Sequence, residues 1–462
     1  MKQSFGGDVT GPYIWLAAKA VTIRRRGKPG PNRPSKVNDP DPDLATLRTS
    51  AGHGFHAAQT GTKMDTVMSP AALSLSPAGS PTRVVMIPSV GGGIGHISRT
   101  AALARALQRL DPGVEVEFLL DTGRLRPFNI DATRRMGFTP RFLPPRTRDN
   151  RDAIVRACLD HADVVVDDCS RYLLPLRRAV PHLGWVTLAM YPIGDELFMD
   201  WPFMAQMDAV IWPYAPLVGL PAELAAVADK VVQTGPFLET EGVPGRAAAR
   251  RQLGLPPDGP LLVYAPRGFP FGREFGDRVL AGAYGAAATL RAAGHPGLRL
   301  VLLAVSDAAE LRSVAGVPDP LPDWVIVKGV VTPAESLLHT RAANAVVGEG
   351  TSTMHEGAAL RTPLVLVPGP IPEATLLAQA LGREGAAQVL TLQRATPDGF
   401  ATAFRTALDG GAGQTVMLDR AHALVTGGGG AAAAARAVLD VAAKRQASGS
   451  GPAARQAAVG GQ

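Results

Sequence analysis

Two short segments of this chain bring together residue types that can move a proton and hold an anion. The first is Gly91-Gly92-Gly93-Ile94-Gly95-His96. It follows an apolar run from Arg83 to Pro88 and precedes a stretch in which Leu103, Ala106, Leu107 and Leu110 recur at helical spacing. Glycines at a strand-to-helix turn let backbone N–H groups approach an anion, which a helix N-terminus also favours. A dinucleotide fingerprint needs glycine at the place His96 takes, where strand and helix pack closely, so this loop departs from an NAD or FAD site even though Asp121 ends the next strand. A histidine there suits removal of a proton from a hydroxyl near neutral pH. A helix cap or a phosphate contact is the alternative role for His96. Asp167 and Asp168 end a later apolar run and are candidates to orient that histidine as the third member of a triad does.

The second segment is Gly348-Glu349-Gly350-Thr351-Ser352-Thr353-Met354-His355-Glu356, after the apolar run Ala345 to Val347. Thr351, Ser352 and Thr353 then fall at a helix N-terminus, where hydroxyls and N–H groups can hold a diphosphate without a metal. Glu356 lies one turn beyond Thr353 and could accept from both hydroxyls of a ribose. The same residues also spell a capping box, Thr353-x-x-Glu356.

The elements that must position these segments alternate. Apolar runs at 83–88, 114–120, 164–166, 185–189 and 231–236, with helical stretches between them, predict one doubly wound parallel sheet. Runs at 261–264, 298–304, 324–327, 345–347 and 364–367 predict a second. The expected fold class is α/β, with two Rossmann-like domains at 82–235 and 236–445, the latter closed by a helix over 431–444. Residues 1–81 and 446–462, rich in Pro, Gly, Ser, Thr or Ala, are expected to be loose tails, the first of them disordered or translated from a misplaced start.

Composition narrows the function. Of 462 residues, 46% are hydrophobic and 19% charged, which suits a globular α/β protein. The net charge is +7, but residues 1–80 hold ten Lys or Arg against five Asp, so the predicted domains are almost neutral and no broad nucleic-acid surface is expected. Two cysteines are too few for a disulfide framework or a thiolate metal site. No apolar run reaches the length of a spanning helix. Asp39-Pro-Asp41 matches the Asp-x-Asp pattern of metal-dependent transferases, but in a proline-rich tail it reads as a solvated turn, and no metal site is expected.

Taken together, residues 83–445 resemble the GT-B glycosyltransferases, above all the group that adds N-acetylglucosamine to the lipid-linked peptidoglycan precursor, and more distantly the UDP-glycosyltransferases. Gly92, Gly93, Gly95 and His96 match the glycine loop, Gly350-x-Ser352-Thr353-x-x-Glu356 the diphosphate and ribose motif, and Gly385-Ala-Ala387 the segment after the donor-sugar loop. Val327 to Val331 match the turn whose backbone reads the base, so the resemblance implies base contacts at Val330 and Val331. Three departures stand out. Gly348 replaces the histidine that opens the donor motif in one branch. The acid–glutamine pair that grips the sugar is missing, with Glu373 its one substitute. The loop 265–272 lacks the small-residue phosphate turn, where Arg267 could supply a charged contact.

The resemblance implies a cytoplasmic enzyme, at most peripheral to the inner face of a membrane. It would move a sugar from a nucleoside-diphosphate donor, a UDP-sugar, to a hydroxyl of a small molecule or lipid-linked sugar, by inverting displacement. The donor is a co-substrate; no cofactor, metal or nucleic-acid partner is implied. Asp195 and Glu196 are weaker acceptor-side candidates. Gly95-His96-x-x-Arg99 also resembles nucleotide-sugar hydrolases, so a hydrolase or 2-epimerase on the same fold is the alternative reading, and a non-catalytic nucleotide-sugar binder a third.

Overall fold

Short runs of apolar residues bounded by turns become strands buried on both faces. In the computed structural model, Val84, Val85, Met86 and Ile87 of β1 (Arg83–Ile87) are at most 1% exposed. The structure describes residues 81–90, 94–122, 125, 127–143, 151–168, 177, 180–190, 201–214, 216–266, 273–303, 314, 316–329, 331–369 and 371–448. The expected tails, except for residues 81 and 446–448, lie outside these residues, as do Gly92, Gly93, Cys169, Asp195, Glu196, Arg267 and Val330.

The first sheet adds β2 (Glu115–Asp121), β3 (Pro140–Leu143), β4 (Val164–Asp167), β5 (Gly184–Leu188), β6 (Ala209–Trp212) and β7 (Val231–Gln233). The second consists of β8 (Leu261–Ala265), β9 (Arg299–Leu303), β10 (Val325–Gly329), β11 (Ala345–Gly348), β12 (Leu364–Leu366) and β13 (Gln388–Val389). Their orders are β3-β2-β1-β4-β5-β6-β7 and β10-β9-β8-β11-β12-β13. Every pairing is parallel. Strand order therefore reverses between β1 and β4 in one sheet and between β8 and β11 in the other. In such folds ligands gather outside the carboxyl ends of the strands at those reversals. The glycine loop follows β1, Asp168 follows β4, and the Ser352–Glu356 segment follows β11.

Both sheets belong to one compact unit, residues 76–462. The chain passes between them twice. The helix Gly430–Ala447, expected in the second domain, packs on the first sheet instead: Ala434, Ala435, Val438 and Val441 join Val84, Met86, Val164 and Val186 in one core. The two passages touch. Gly430 N–H donates to the Thr234 carbonyl at 2.5 Å, and Thr234 is fully buried. A Cβ on Gly428 would lie 2.6 Å from that carbonyl, so only glycine fits where the backbones cross. Among the described residues no helix is long and apolar enough to cross a membrane.

The crossing yields a direct test. Gly428→Ala is expected to cost about 1–3 kcal/mol of stability, as overpacking against backbone does. Gly413, in the helix Ala412–Thr426, has nothing within 4 Å of a built Cβ, and Gly413→Ala should stabilise by up to about 1 kcal/mol. Urea unfolding of both variants checks the contrast.

Candidate functional site

His96 stands in the first turn of the helix Gly95–Leu110, whose N-cap is Ile94 with no side-chain cap, so the histidine is not the cap. Its Nδ1 lies 2.6 Å from Asp168 Oδ2. An ionised carboxylate can only accept, so Nδ1 carries the proton and the ring's basic lone pair is on Nε2. Asp168, 1% exposed, also takes a guanidinium N–H from Arg99 and, at 3.3 Å, the backbone N–H of Ser89. Its own N–H donates to the Ile87 carbonyl at 3.0 Å, which extends the β1–β4 pairing by one residue. One buried charge thus ties together the end of β1, the end of β4 and the first turn of the helix. Asp167 is also buried, within β4 and in register with Ile87 and Thr187. Of the two aspartates it is Asp168 that holds His96.

The second segment begins the helix Thr351–Ala359, with Gly350 as N-cap and no side-chain cap. The capping box is therefore not formed. Glu356 instead accepts from Ser336 Oγ at 2.9 Å, a residue of the helix Pro333–Ala342. Burial pushes the Glu356 carboxyl up to about 7, against the opposing effect of the Ser336 hydroxyl. Gly348 has a steric reason: a Cβ there would lie 3.0 Å from the Thr353 methyl. Behind the loop, the Tyr264 hydroxyl donates to the buried Glu349 carboxylate, which joins the ends of β8 and β11. Burial, then the adjoining Glu349 charge, push the Tyr264 phenol up.

The two segments meet. A Cβ built on Gly95 would lie 3.1 Å from Ser352 Oγ, so the helix start that presents His96 rests on the hydroxyl-bearing helix end. A second link runs beside it: Tyr214, after β6, donates to Glu373 Oε1 at 2.6 Å. Glu373, foreseen as a sugar contact, is only 5% exposed and serves this link between the halves. His355 packs near Tyr214, with ring centroids 6.4 Å apart, and its burial lowers the imidazole to about 4, so it is neutral at physiological pH. Val331 lines a cavity between the halves together with Ile94. Asp121 is buried at the end of β2.

Sequence reasoning did not find Ser336, Tyr214 or Glu349 as parts of this arrangement. Each acts through a contact 20 to 159 residues away, between Ser336 and Glu356 at one extreme and Tyr214 and Glu373 at the other, which no local spacing encodes. Arg99 had one signal, its place in Gly95-His96-x-x-Arg99: three residues on, it shares His96's side of the helix.

No family model matches the chain. Over 310 residues it is 27% identical to the UDP-N-acetylglucosamine–N-acetylmuramyl-(pentapeptide) pyrophosphoryl-undecaprenol N-acetylglucosamine transferase of Nocardia farcinica, covering 61% of this chain and 75% of that one. Its fold matches spinosyn forosaminyltransferase with a TM-score of 0.57 at 15% identity, over 78% of this chain and 99% of that one. It also matches a putative UDP-N-acetylglucosamine 2-epimerase from Listeria monocytogenes with a TM-score of 0.53 at 12% identity, over 77% and 94%. The fold is GT-B. By structure the likeness is one of fold, and the sequence relative is itself a sugar transferase.

The buried carboxylate gives a structural prediction independent of activity. Asp168→Ala should destabilise the protein by about 3–5 kcal/mol, because it removes the buried partner of three donors and leaves the half-buried Arg99 beside no counter-charge. Denaturant unfolding reads this, with Asp152→Ala, on the exposed face of the helix Arg151–Leu159, as the near-neutral control.

Proposed function

We propose that this protein moves a sugar from a nucleoside-diphosphate donor, a UDP-sugar, to a hydroxyl of a small molecule or lipid-linked sugar. One observation carries the reading: the helix start that bears His96, held by the buried Asp168, meets Ser352 of the other half, on the helix that also bears Thr353 and Glu356. The sequence relationship to a sugar-transferring enzyme supports it.

In this reading the helix N-terminus at Gly350, with the hydroxyls of Thr351, Ser352 and Thr353, receives the diphosphate. In this reading these groups carry the phosphate charge without a metal. Glu356 accepts from the ribose hydroxyls. His96 Nε2 takes the proton of the acceptor hydroxyl, and Asp168 stabilises the imidazolium that forms. The acceptor oxygen bonds to the anomeric carbon as the bond from that carbon to the diphosphate breaks, its electron pair leaving on the diphosphate. Attack from the side opposite the leaving group inverts that carbon. Action in the cytoplasm, at most peripheral to a membrane, fits this donor chemistry.

Two measurements test the reading. Calorimetric titration with UDP should show Glu356→Ala binding about 1.5–3 kcal/mol more weakly, the range for a hydrogen bond to a charged group. His96→Ala should bind UDP within about threefold of the parent yet turn over about 100-fold more slowly, as loss of a general base does. Unchanged UDP affinity in Glu356→Ala would reject the donor assignment. UDP-N-acetylglucosamine incubated alone should stay intact; rapid hydrolysis or a new sugar nucleotide would replace transfer by hydrolysis or epimerisation.

The pH dependence has a definite sign. The raised Glu356 carboxyl is protonated below about 7, and ribose hydroxyls favour its ionised form. UDP affinity should therefore rise with pH through that region and level off above it, and Glu356→Gln should abolish the rise. A flat profile in the parent protein would contradict this.

A further inference from the structure

We infer that the first half of the molecule reads the donor's base: the helix Pro127–Arg135 supplies Phe128, Asp131 and Arg135 to a pocket for a nucleobase bearing an N–H beside a carbonyl. The inference rests on the reading of Glu356 as the ribose acceptor and adds the determinant of base specificity.

A cavity of about 130 Å³ lies between the halves, bounded on one side by Ile94, Phe128, Asp131 and Arg135 and on the other by Val331 and Thr332. Covalent geometry fixes its relation to the ribose. Glu356 is held by Ser336, in the first turn of the helix that Thr332 caps. Ser336 lies four positions after Thr332, about 6 Å at the helical rise. A base is bonded directly to its ribose, so a ribose on Glu356 presents the base at this cavity. Ile94 also caps the His96 helix, so the cavity adjoins both halves of the site.

The lining suits one edge chemistry. Asp131 and Arg135 are four residues apart and share a helix face. One is an acceptor and the other a donor, the complement of an N–H beside a carbonyl. Among the described residues neither side chain makes a hydrogen bond. Phe128 adds an apolar wall for a flat ring. Thr332 is already engaged: its hydroxyl oxygen accepts from the Glu335 N–H at 3.2 Å, and Glu335 Oε2 accepts from the Thr332 N–H at 2.9 Å. That box fixes the opposite wall and leaves polar side-chain recognition to the first half. The Arg135 guanidinium is also among the charges that help hold the Glu335 carboxyl below the usual range, after the Thr332 hydrogen bonds, so it lies close to the second half.

Titration of the full-length protein with UDP, TDP, CDP and ADP tests this. UDP and TDP, which carry the N–H beside a carbonyl, should bind at least about tenfold more tightly than CDP and ADP, about one charged hydrogen bond. Asp131→Asn and Arg135→Ala should each weaken UDP about tenfold and bring UDP and CDP within about threefold of each other. Both positions are exposed, and unchanged melting temperatures would show the variants folded. Glu356→Gln should weaken UDP and CDP by the same factor. A preference for UDP over CDP that survives in both pocket variants overturns the inference and leaves the ribose reading intact. Equal parental affinity for all four nucleotides also overturns it. An unaffected Glu356→Gln would instead overturn the ribose reading, and this inference with it.

Discussion

A carboxylate taken out of water costs several kcal/mol unless it is paired and hydrogen-bonded, and Asp168 meets that cost with three partners drawn from two elements. Arg99 and His96 come from the first turns of one helix and the Ser89 N–H from the end of β1. The geometry of the site follows. With the charge fixed at the end of β4, the imidazole has one orientation and one tautomer. The helix start carrying it is set against Ser352 of the other half. Loss of the Asp168 charge would release the histidine and the start of the helix together.

The second half solves a different problem. It must present hydroxyls and N–H groups at a helix end while keeping a carboxylate one turn deeper. Gly348 makes room for Thr353, Glu349 anchors the loop through Tyr264, and Ser336 holds Glu356 from the neighbouring helix. The Tyr214–Glu373 bond and the Gly430–Thr234 crossing then tie this half to the first at two further points. The two candidate segments meet because both follow strands at which the order of their sheet reverses.

Much of this was legible in the sequence because it is local. Short apolar runs between helical stretches, and glycine loops directly after β1 and β11, announce two doubly wound sheets and the loops at which their strand orders reverse. What was not legible is short or remote. β3 begins with Pro140, tolerable because it is an edge strand. β13 has two residues, too few for any periodic signal. The helix over 430–447, rich in alanine, carries no mark of which sheet it will cover. His96 and Asp168 were each found from local context, but only the fold selects Asp168 over its neighbour. The bond between Glu373 and Tyr214 had no local signal, because the two lie 159 residues apart.

The central claim is that one ligand spans both halves, and hydrogen exchange on the full-length protein tests it most directly. A bound ligand raises the cost of local opening wherever it touches. Saturating UDP should therefore slow exchange in two segments at once, 94–100 around His96 and 351–357 around Glu356. Protection confined to one half, or to neither segment, would contradict a nucleotide site shared across the Gly95–Ser352 contact.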